Sequence, residues 1–396
     1  MATKTPGWGL LGRGAALLAL LVIASSALLV ACGDDDDDDA ASTTTTTTQQ
    51  TTTTATTTDD DDADDTAAAT DEDDDADTAA ATDEDDDADT AAATDDADDD
   101  SDTAATTADE TGTVDDSLAA LDDRGYANTS RLVTTQWIED NLDNDSVLLI
   151  DLRNEEQYGA GHIPGAIRVQ AGATFQKEID GVPGLIPPAE EVAASLAALG
   201  ATPDHTIVFY DARGSIWASR AVWVLAVYGH ADVRLLDGDF PLWESQGRTV
   251  STDVPSPSAA EYAFSAAPNE DIIAGWEEVL AQIDDPSSLV CDARSAEEYA
   301  GRDVRADRGG HIPNAVNVDW ARALAEDGTF LPADELRALY NNEGVESDKT
   351  IYTLCQTAVR ATHTWFVLTD LLGFESVKVY DGSWIEWGNR TDTPIS

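Results

Sequence analysis

The sequence predicts an α/β fold built twice: two tandem domains, each a parallel sheet with helices on both faces, preceded by a disordered acidic tether. Three observations carry this. Beyond Tyr126, short runs rich in Val, Ile and Leu alternate with helical patterns such as Ala189–Leu199, the arrangement of a parallel sheet covered on both sides. The same motifs then recur in the same order about 144 residues later. The chain before Asp123 is, after its first 32 residues, almost wholly Asp, Thr, Ala and Glu, which cannot bury enough apolar surface to fold.

The chain opens with Lys4 and Arg13 ahead of an apolar run, Ala15 to Val30, ending Leu29-Val30-Ala31-Cys32. A cationic start, an apolar core of this length and small residues before a cleavage point describe an export signal. The Leu-Val-Ala-Cys ending resembles a bacterial lipobox, which makes residues 1–32 a lipoprotein signal peptide and Cys32 the lipidated mature N-terminus; an uncleaved anchor is the alternative. Either places the domains outside the cytoplasm, on the outer face of the cytoplasmic membrane.

Residues 33–123 form the tether. A 12-residue unit recurs within it from Thr66 and Thr78, but with Ala as its only apolar residue it cannot stack as a solenoid. The full chain carries a net charge of -58, and residues 1–123 hold 36 of its 79 acids. The remainder has 43 acids (79 − 36) against 19 Lys and Arg (21 − 2). That balance excludes nucleic acid as a partner, since phosphate binding needs a concentrated basic face.

The two copies span residues 127–248 and 270–392, joined by a Ser-, Pro- and Ala-rich linker over 249–269. Leu149-Ile-Asp-Leu-Arg153 matches Val290-Cys-Asp-Ala-Arg294, and Gly161-His-Ile-Pro matches Gly310-His-Ile-Pro. Ile207–Asp211 matches Ile351–Cys355, and Leu236-Asp-Gly238 matches Tyr380-Asp-Gly382. Ligand sites in such sheets lie at the carboxyl ends of the strands, and Cys355 follows the strand-like run Ile351–Leu354. Five residues, Gln356, Thr357, Ala358, Val359 and Arg360, lead to a helical pattern expected from Ala361. In so short a loop several backbone N–H groups can converge on the sulfur with the helix dipole behind them, favouring thiolate, and Arg360 adds a positive charge.

Together, Asp-x-Arg with a following Glu-x-x-Tyr in both copies, the paired Gly-His-Ile-Pro segments and Tyr380-Asp-Gly-Ser-Trp resemble the rhodanese sulfurtransferase superfamily, specifically its two-domain members, over residues 130–390. The resemblance implies a catalytic second domain and a first domain without the cysteine, where Asp211 takes its place. It implies ping-pong transfer of sulfane sulfur through a Cys355 persulfide, from thiosulfate or, as second choice, 3-mercaptopyruvate, to cyanide or a thiol, with no metal or organic cofactor. Gln356-Thr357 matches neither the basic residues nor the Gly-Ser that often follow the cysteine in the two donor classes. Glu298 stands where family members often carry a substrate-binding Arg, so Arg294, Arg302 and Arg305 become candidate donor contacts.

A non-turnover persulfide carrier at the membrane and a phosphatase of the related cysteine-loop type are the competing readings. Other notable residues read as structural. His162 and His311 are turn residues without partners at metal-ligand spacing. The Asp151–Arg153 and Asp292–Arg294 pairs anchor loops, and Trp223, Trp243, Trp365, Trp384 and Trp387 are packing. Cys291, in an apolar run, is a buried small hydrophobe. His363 is as readily a surface residue as one beside the loop. With no even set of cysteines, no disulfide framework is expected, and a monomer is.

Overall fold

The computed structural model describes Leu121 and residues 123–396; the export signal, Cys32 and nearly all of the tether lie outside them. The packed chain begins earlier than the composition suggests, because Leu121 is buried in the main core.

The first sheet comprises β1 (Leu132–Val133), β2 (Val147–Asp151), β3 (Ile167–Arg168), β6 (Thr206–Tyr210) and β7 (Val233–Leu236), in spatial order β1-β7-β6-β2-β3 and all parallel. A short antiparallel hairpin, β4 (Lys177–Ile179) with β5 (Val182–Leu185), stands outside it. The second sheet comprises β8 (Ile273–Ala274), β9 (Ser288–Asp292), β10 (Val316–Asn317), β11 (Thr350–Leu354) and β12 (Val377–Tyr380), in the order β8-β12-β11-β9-β10. The two orders are the same strand for strand, so the sequence repeat is a repeat of topology.

Their central strands, Thr206–Tyr210 and Thr350–Leu354, are buried beyond their first residue, as strands covered on both faces must be. The first domain carries helices α1 (Thr135–Asp140), α2 (Glu155–Ala160), α3 (Ala171–Phe175), α4 (Ala189–Ala198), α5 (Ile216–Val227) and α6 (Asp239–Ser245). The second carries α7 (Trp276–Gln282), α8 (Ala296–Tyr299), α9 (Ala333–Asn341), α10 (Val359–Phe366) and α11 (Ser383–Trp387). One face of each sheet has its own core, around Trp137 and Trp243 in the first domain and Trp384 and Trp387 in the second. The opposite faces share a single core, to which Trp223, Phe366 and Leu368 belong and in which α5 and α10 pack together. The 249–269 segment is laid along the first domain: Tyr262 hydroxyl bonds His230 Nδ1 at 2.8 Å and its ring meets Phe264, which packs on Tyr228.

The common offset of 144 conceals two compensating changes. Asp211 lies five residues before α5 begins, whereas Cys355 lies four before α10. A π-helical turn over Val367–Leu371 then lengthens the second helix, and the offset is regained by β12. The helix after Cys355 therefore starts at Val359 rather than Ala361, and Val359 and Arg360 belong to its first turn.

Candidate active site

Cys355 immediately follows β11 and is 1% exposed. Only Gln356, Thr357 and Ala358 separate it from α10, and the turn is made possible by Ala358 at φ 61°, a left-handed conformation costly for a residue with a Cβ. Ser383 offsets that strain. Its Oγ accepts the N–H groups of Cys355 at 3.2 Å and Ala358 at 3.1 Å, while donating to the Tyr380 carbonyl at 3.0 Å. The N–H groups of Trp384 and Ile385 bind the carbonyls of Cys355 and Gln356 at 2.9 and 3.0 Å. Two loop N–H groups expected to face the sulfur are thus taken by Ser383; those of Gln356, Thr357, Val359 and Arg360 have no acceptor among the described residues.

The first domain holds the same loop in another chemical state. Asp239, the counterpart of Ser383, accepts from the N–H groups of Asp211 and Ser215 at 3.2 and 2.6 Å. The Asp211 carboxylate turns into its own loop, where it accepts from Arg213 N–H at 2.6 Å, Trp217 N–H at 2.8 Å and Ala218 N–H at 3.0 Å. Burial and the neighbouring Asp211 push the Asp239 carboxyl well above the usual range, which keeps the pair from carrying two charges.

Arg360 projects from the first turn of α10, near enough to Cys355 for the two side chains to interact. Its Nη1 and Nη2 donate to Glu298 at 2.6 and 2.8 Å. Glu298 is 1% exposed, caps α8 through Ser295 and lies 3.5 Å from Arg305. Burial opposes ionisation of Glu298, but the hydrogen bonds and charge of Arg360 and the bonds from Ser295 hold its carboxyl down to about 2. Burial likewise opposes the charge on Arg360, and its bonds to Glu298 together with the neighbouring Cys355 and Glu298 hold it above the ordinary range.

The other candidate contacts are each engaged with a carboxylate. Arg294 is buried, donating to Asp292 at 2.6 Å and to the Gly310 carbonyl at 2.8 Å, a loop anchor repeated by Arg153 with Asp151 and Gly161. Arg302 pairs with Glu297, and Arg305 with Asp303 at 2.5 Å. The main chain of Arg305 does reach the loop, since its carbonyl accepts Gln356 Nε2 at 2.8 Å.

His363 is no surface residue: it is fully buried between Trp320 and Phe330, and neither ring nitrogen has a partner. Burial drives it down to about 3. His162 and His311 stack on Tyr158 and Tyr299 and bond to their carbonyls at 3.0 Å. Burial, with the negative charges of Asp292 and Glu343, pushes the Cys291 thiol up, which keeps it from acting as a nucleophile. Among the described residues no group of three or more His, Cys, Asp and Glu side chains could hold a metal.

The first domain completes the site. Gln176 Nε2 donates to the Thr357 carbonyl at 2.7 Å. Gly184, at φ +86°, lets the β4–β5 hairpin approach so closely that an added Cβ would lie 3.0 Å from that of Thr357. Arg220, fully buried on α5, donates to Asp381 at 2.8 Å and to the carbonyls of Phe175 and Gly184 at 3.1 Å. Sequence reasoning missed these residues. Ser383 had a signal in the Asp-Gly-Ser-Trp stretch, whereas Gln176 and Arg220 carry no motif.

Twin parallel sheets with a strand-end cysteine in the second define a tandem member of the rhodanese-like class. The chain belongs to that family, the rhodanese-like domain matching residues 134–246 and 276–390. It is 38% identical over 284 residues to the protein named sulfur carrier protein TtuD of Thermus thermophilus, spanning 69% of this chain and 98% of that one. It is 37% identical over 273 residues to the protein named "Putative thiosulfate sulfurtransferase" of Saccharopolyspora erythraea, spanning 67% and 95% respectively. The structure of an anaerobic ergothioneine biosynthesis enzyme from Chlorobium limicola shares the fold, with a TM-score of 0.62 at 24% identity over 68% of this chain and 71% of that one. Family and relatives together make this a sulfurtransferase-type protein whose chemistry concerns sulfur and thiols.

Proposed function

We propose that the protein is a sulfurtransferase working through a persulfide on Cys355. The thiolate attacks the outer sulfur of thiosulfate, the S–S bond breaks and sulfite leaves with its electron pair. The Cys355 persulfide then gives its terminal sulfur to cyanide, forming thiocyanate, or to a thiol, and the thiolate returns. The observation that carries this reading is the Asp211 carboxylate, an anion held by loop N–H groups at the first-domain position corresponding to Cys355. The free N–H groups of Gln356, Thr357, Val359 and Arg360 would hold the negative persulfide in the same manner. A persulfide needs no larger cradle, because its charge sits on one terminal atom.

The test is intact mass after incubation with thiosulfate or 3-mercaptopyruvate, followed by thiocyanate formation. One added sulfur on wild type, none on Cys355→Ser and no turnover in that variant are expected; sulfur retained by Cys355→Ser would overturn the assignment. The relative named as a sulfur carrier favours a second reading, a persulfide carrier, which would load sulfur once and release it slowly to cyanide.

For location, the export signal supports a lipid anchor at Cys32 that holds the protein on the outer face of the cytoplasmic membrane. Among the described residues no helix is long and apolar enough to cross a membrane. Metabolic labelling with a radioactive fatty acid, lost in Cys32→Ala, is the check.

A further inference from the structure

Arg360 and the two arginines of the 301–309 segment are each matched by a carboxylate: Arg360 by Glu298, Arg305 by Asp303 and Glu298, and Arg302 by Glu297. The Arg360–Glu298 pair is bidentate, with the Glu298 side chain 1% exposed and that of Arg360 17% exposed, so solvent screens it only partly. An incoming dianion therefore meets Arg360 with its charge already offset by Glu298, whose own charge adds repulsion. Beside the nucleophile, Gln356 contributes a second sign of the same kind. Its Nε2 is fixed on the Arg305 carbonyl, which identifies Oε1 as the other end of the amide, and Oε1 is buried with no partner. A buried acceptor without a donor is costly until something supplies one. Thiosulfate has no hydrogen to donate and brings two negative charges.

Accepting sulfur transfer at Cys355 as the reaction, we propose that Glu298 is its specificity-determining residue: it selects against dianionic sulfur donors in favour of donors with at most one negative charge and hydrogen-bond donors near the transferred sulfur. The hydropersulfide of an amine-bearing thiol has that chemistry. Cys355 thiolate attacks the terminal sulfur of R–S–SH, the donor's S–S bond breaks and R–S⁻ leaves with the electron pair. The proton stays on the transferred sulfur, giving Cys355–S–SH. No oxidant or reductant is consumed. Thiosulfate remains a usable but poor donor.

Glu298→Gln keeps the Ser295 capping box and an oxygen for Arg360 while removing the charge. Steady-state KM and kcat are measured for thiosulfate and cysteine hydropersulfide with wild type and variant, with circular dichroism confirming the fold. Wild type should have the higher kcat/KM for the hydropersulfide. In the variant the KM for thiosulfate should fall roughly tenfold or more, as expected for removing a charge this close, while the KM for the hydropersulfide stays level or rises. A merely structural Glu298 would change both donors alike, and that result, an unchanged thiosulfate KM or a wild-type preference for thiosulfate would overturn the proposal. If Glu298→Gln did not fold, the wild-type ranking of donors would decide. Failure of both donors to place sulfur on Cys355, read by intact mass, would instead remove the sulfur-transfer reading, and this proposal with it.

Discussion

Arg220 on α5 of the first domain donates to Asp381, which follows β12 of the second, at 2.8 Å, and the pair is sealed from solvent. The other oxygen of Asp381 accepts Ile186 N–H at 2.7 Å. The backbone contact is repeated with the domains exchanged: Asp237, following β7, accepts Phe330 N–H at 2.9 Å, its arginine, at 3.0 Å, being Arg124 from the segment ahead of the first domain. Each domain thus fixes a segment of the other with the aspartate of its repeated Asp-Gly turn. Only the Asp381 contact stands over a cysteine, since Gly184 bonds Arg220 and touches Thr357.

Arg220→Ala should therefore cost both stability and catalysis. Removing one partner of a buried pair leaves Asp381 uncompensated, at a cost of about 3–5 kcal/mol, and frees the hairpin over the catalytic loop. Urea unfolding should show a lower midpoint, and turnover per folded molecule should fall. An unchanged midpoint would mean that the pair does not hold the domains together.

A chain starting at Ala119 should match the full protein in thermal stability, whereas one starting at Gly125 should melt lower. The shorter chain lacks Leu121, which is in the main core, and Arg124, which bonds Asp237 and the Phe330 carbonyl. Burial already raises the Asp237 carboxyl to about 6 in the presence of Arg124, so loss of the arginine should raise it further. The difference in melting temperature should narrow as pH falls through 6, because a protonated Asp237 needs no cation. A difference independent of pH would mean that the Arg124–Asp237 charge pair contributes nothing to it.

The sequence was most legible where signals are local or repeated. Helix α4 follows its apolar spacing, Ala189–Ala198 against an expected 189–199, and parallel central strands read as unbroken apolar runs. The start of α10 was not legible, because Ala358 takes a left-handed turn that an alanine does not announce. Nor was the first domain's part in the site, since Gln176 meets Thr357 across 181 residues and pairing at that distance leaves no periodicity. The identity of Glu298 was visible as an anomaly, but its meaning required Arg360 beside it.

His363 should make stability fall with acid. Its folded form resists protonation to about 3, while the unfolded chain takes the proton near the ordinary 6.5. Between those values the unfolded state binds more protons, so stability drops as pH falls, by at most about 1.4 kcal/mol per pH unit from this group. His363→Leu should stay as stable as wild type at pH 7 or gain, having removed a buried polar ring without partners. Its melting temperature should lose less than that of wild type between pH 6.5 and 5; equal slopes would show that His363 takes up protons alike in the folded and unfolded states.

Asp211→Asn should weaken the first domain without stopping catalysis. The carboxylate accepts three loop N–H groups, and an amide presents one of them with its own NH₂, at a cost of about 1–3 kcal/mol. A carboxylate has no sulfur-transfer chemistry, so thiocyanate formation per folded molecule should be retained. Lost turnover with an intact fold would implicate the first domain in the reaction.

Phosphate chemistry at Cys355 should be absent. Holding a tetrahedral dianion about the attacking sulfur needs a ring of free N–H groups and an unopposed arginine. Here only three residues precede α10, the N–H groups of Cys355 and Ala358 are spent on Ser383, and both terminal nitrogens of Arg360 are bound to Glu298. Four N–H groups remain, enough for the single charged atom of a persulfide but not for three phosphate oxygens and the departing group. Wild type should therefore release no p-nitrophenol from p-nitrophenyl phosphate, at enzyme concentrations where sulfur loading of Cys355 is complete. Hydrolysis that disappeared in Cys355→Ser, with no sulfur gained from any donor, would make the loop a phosphate cradle instead.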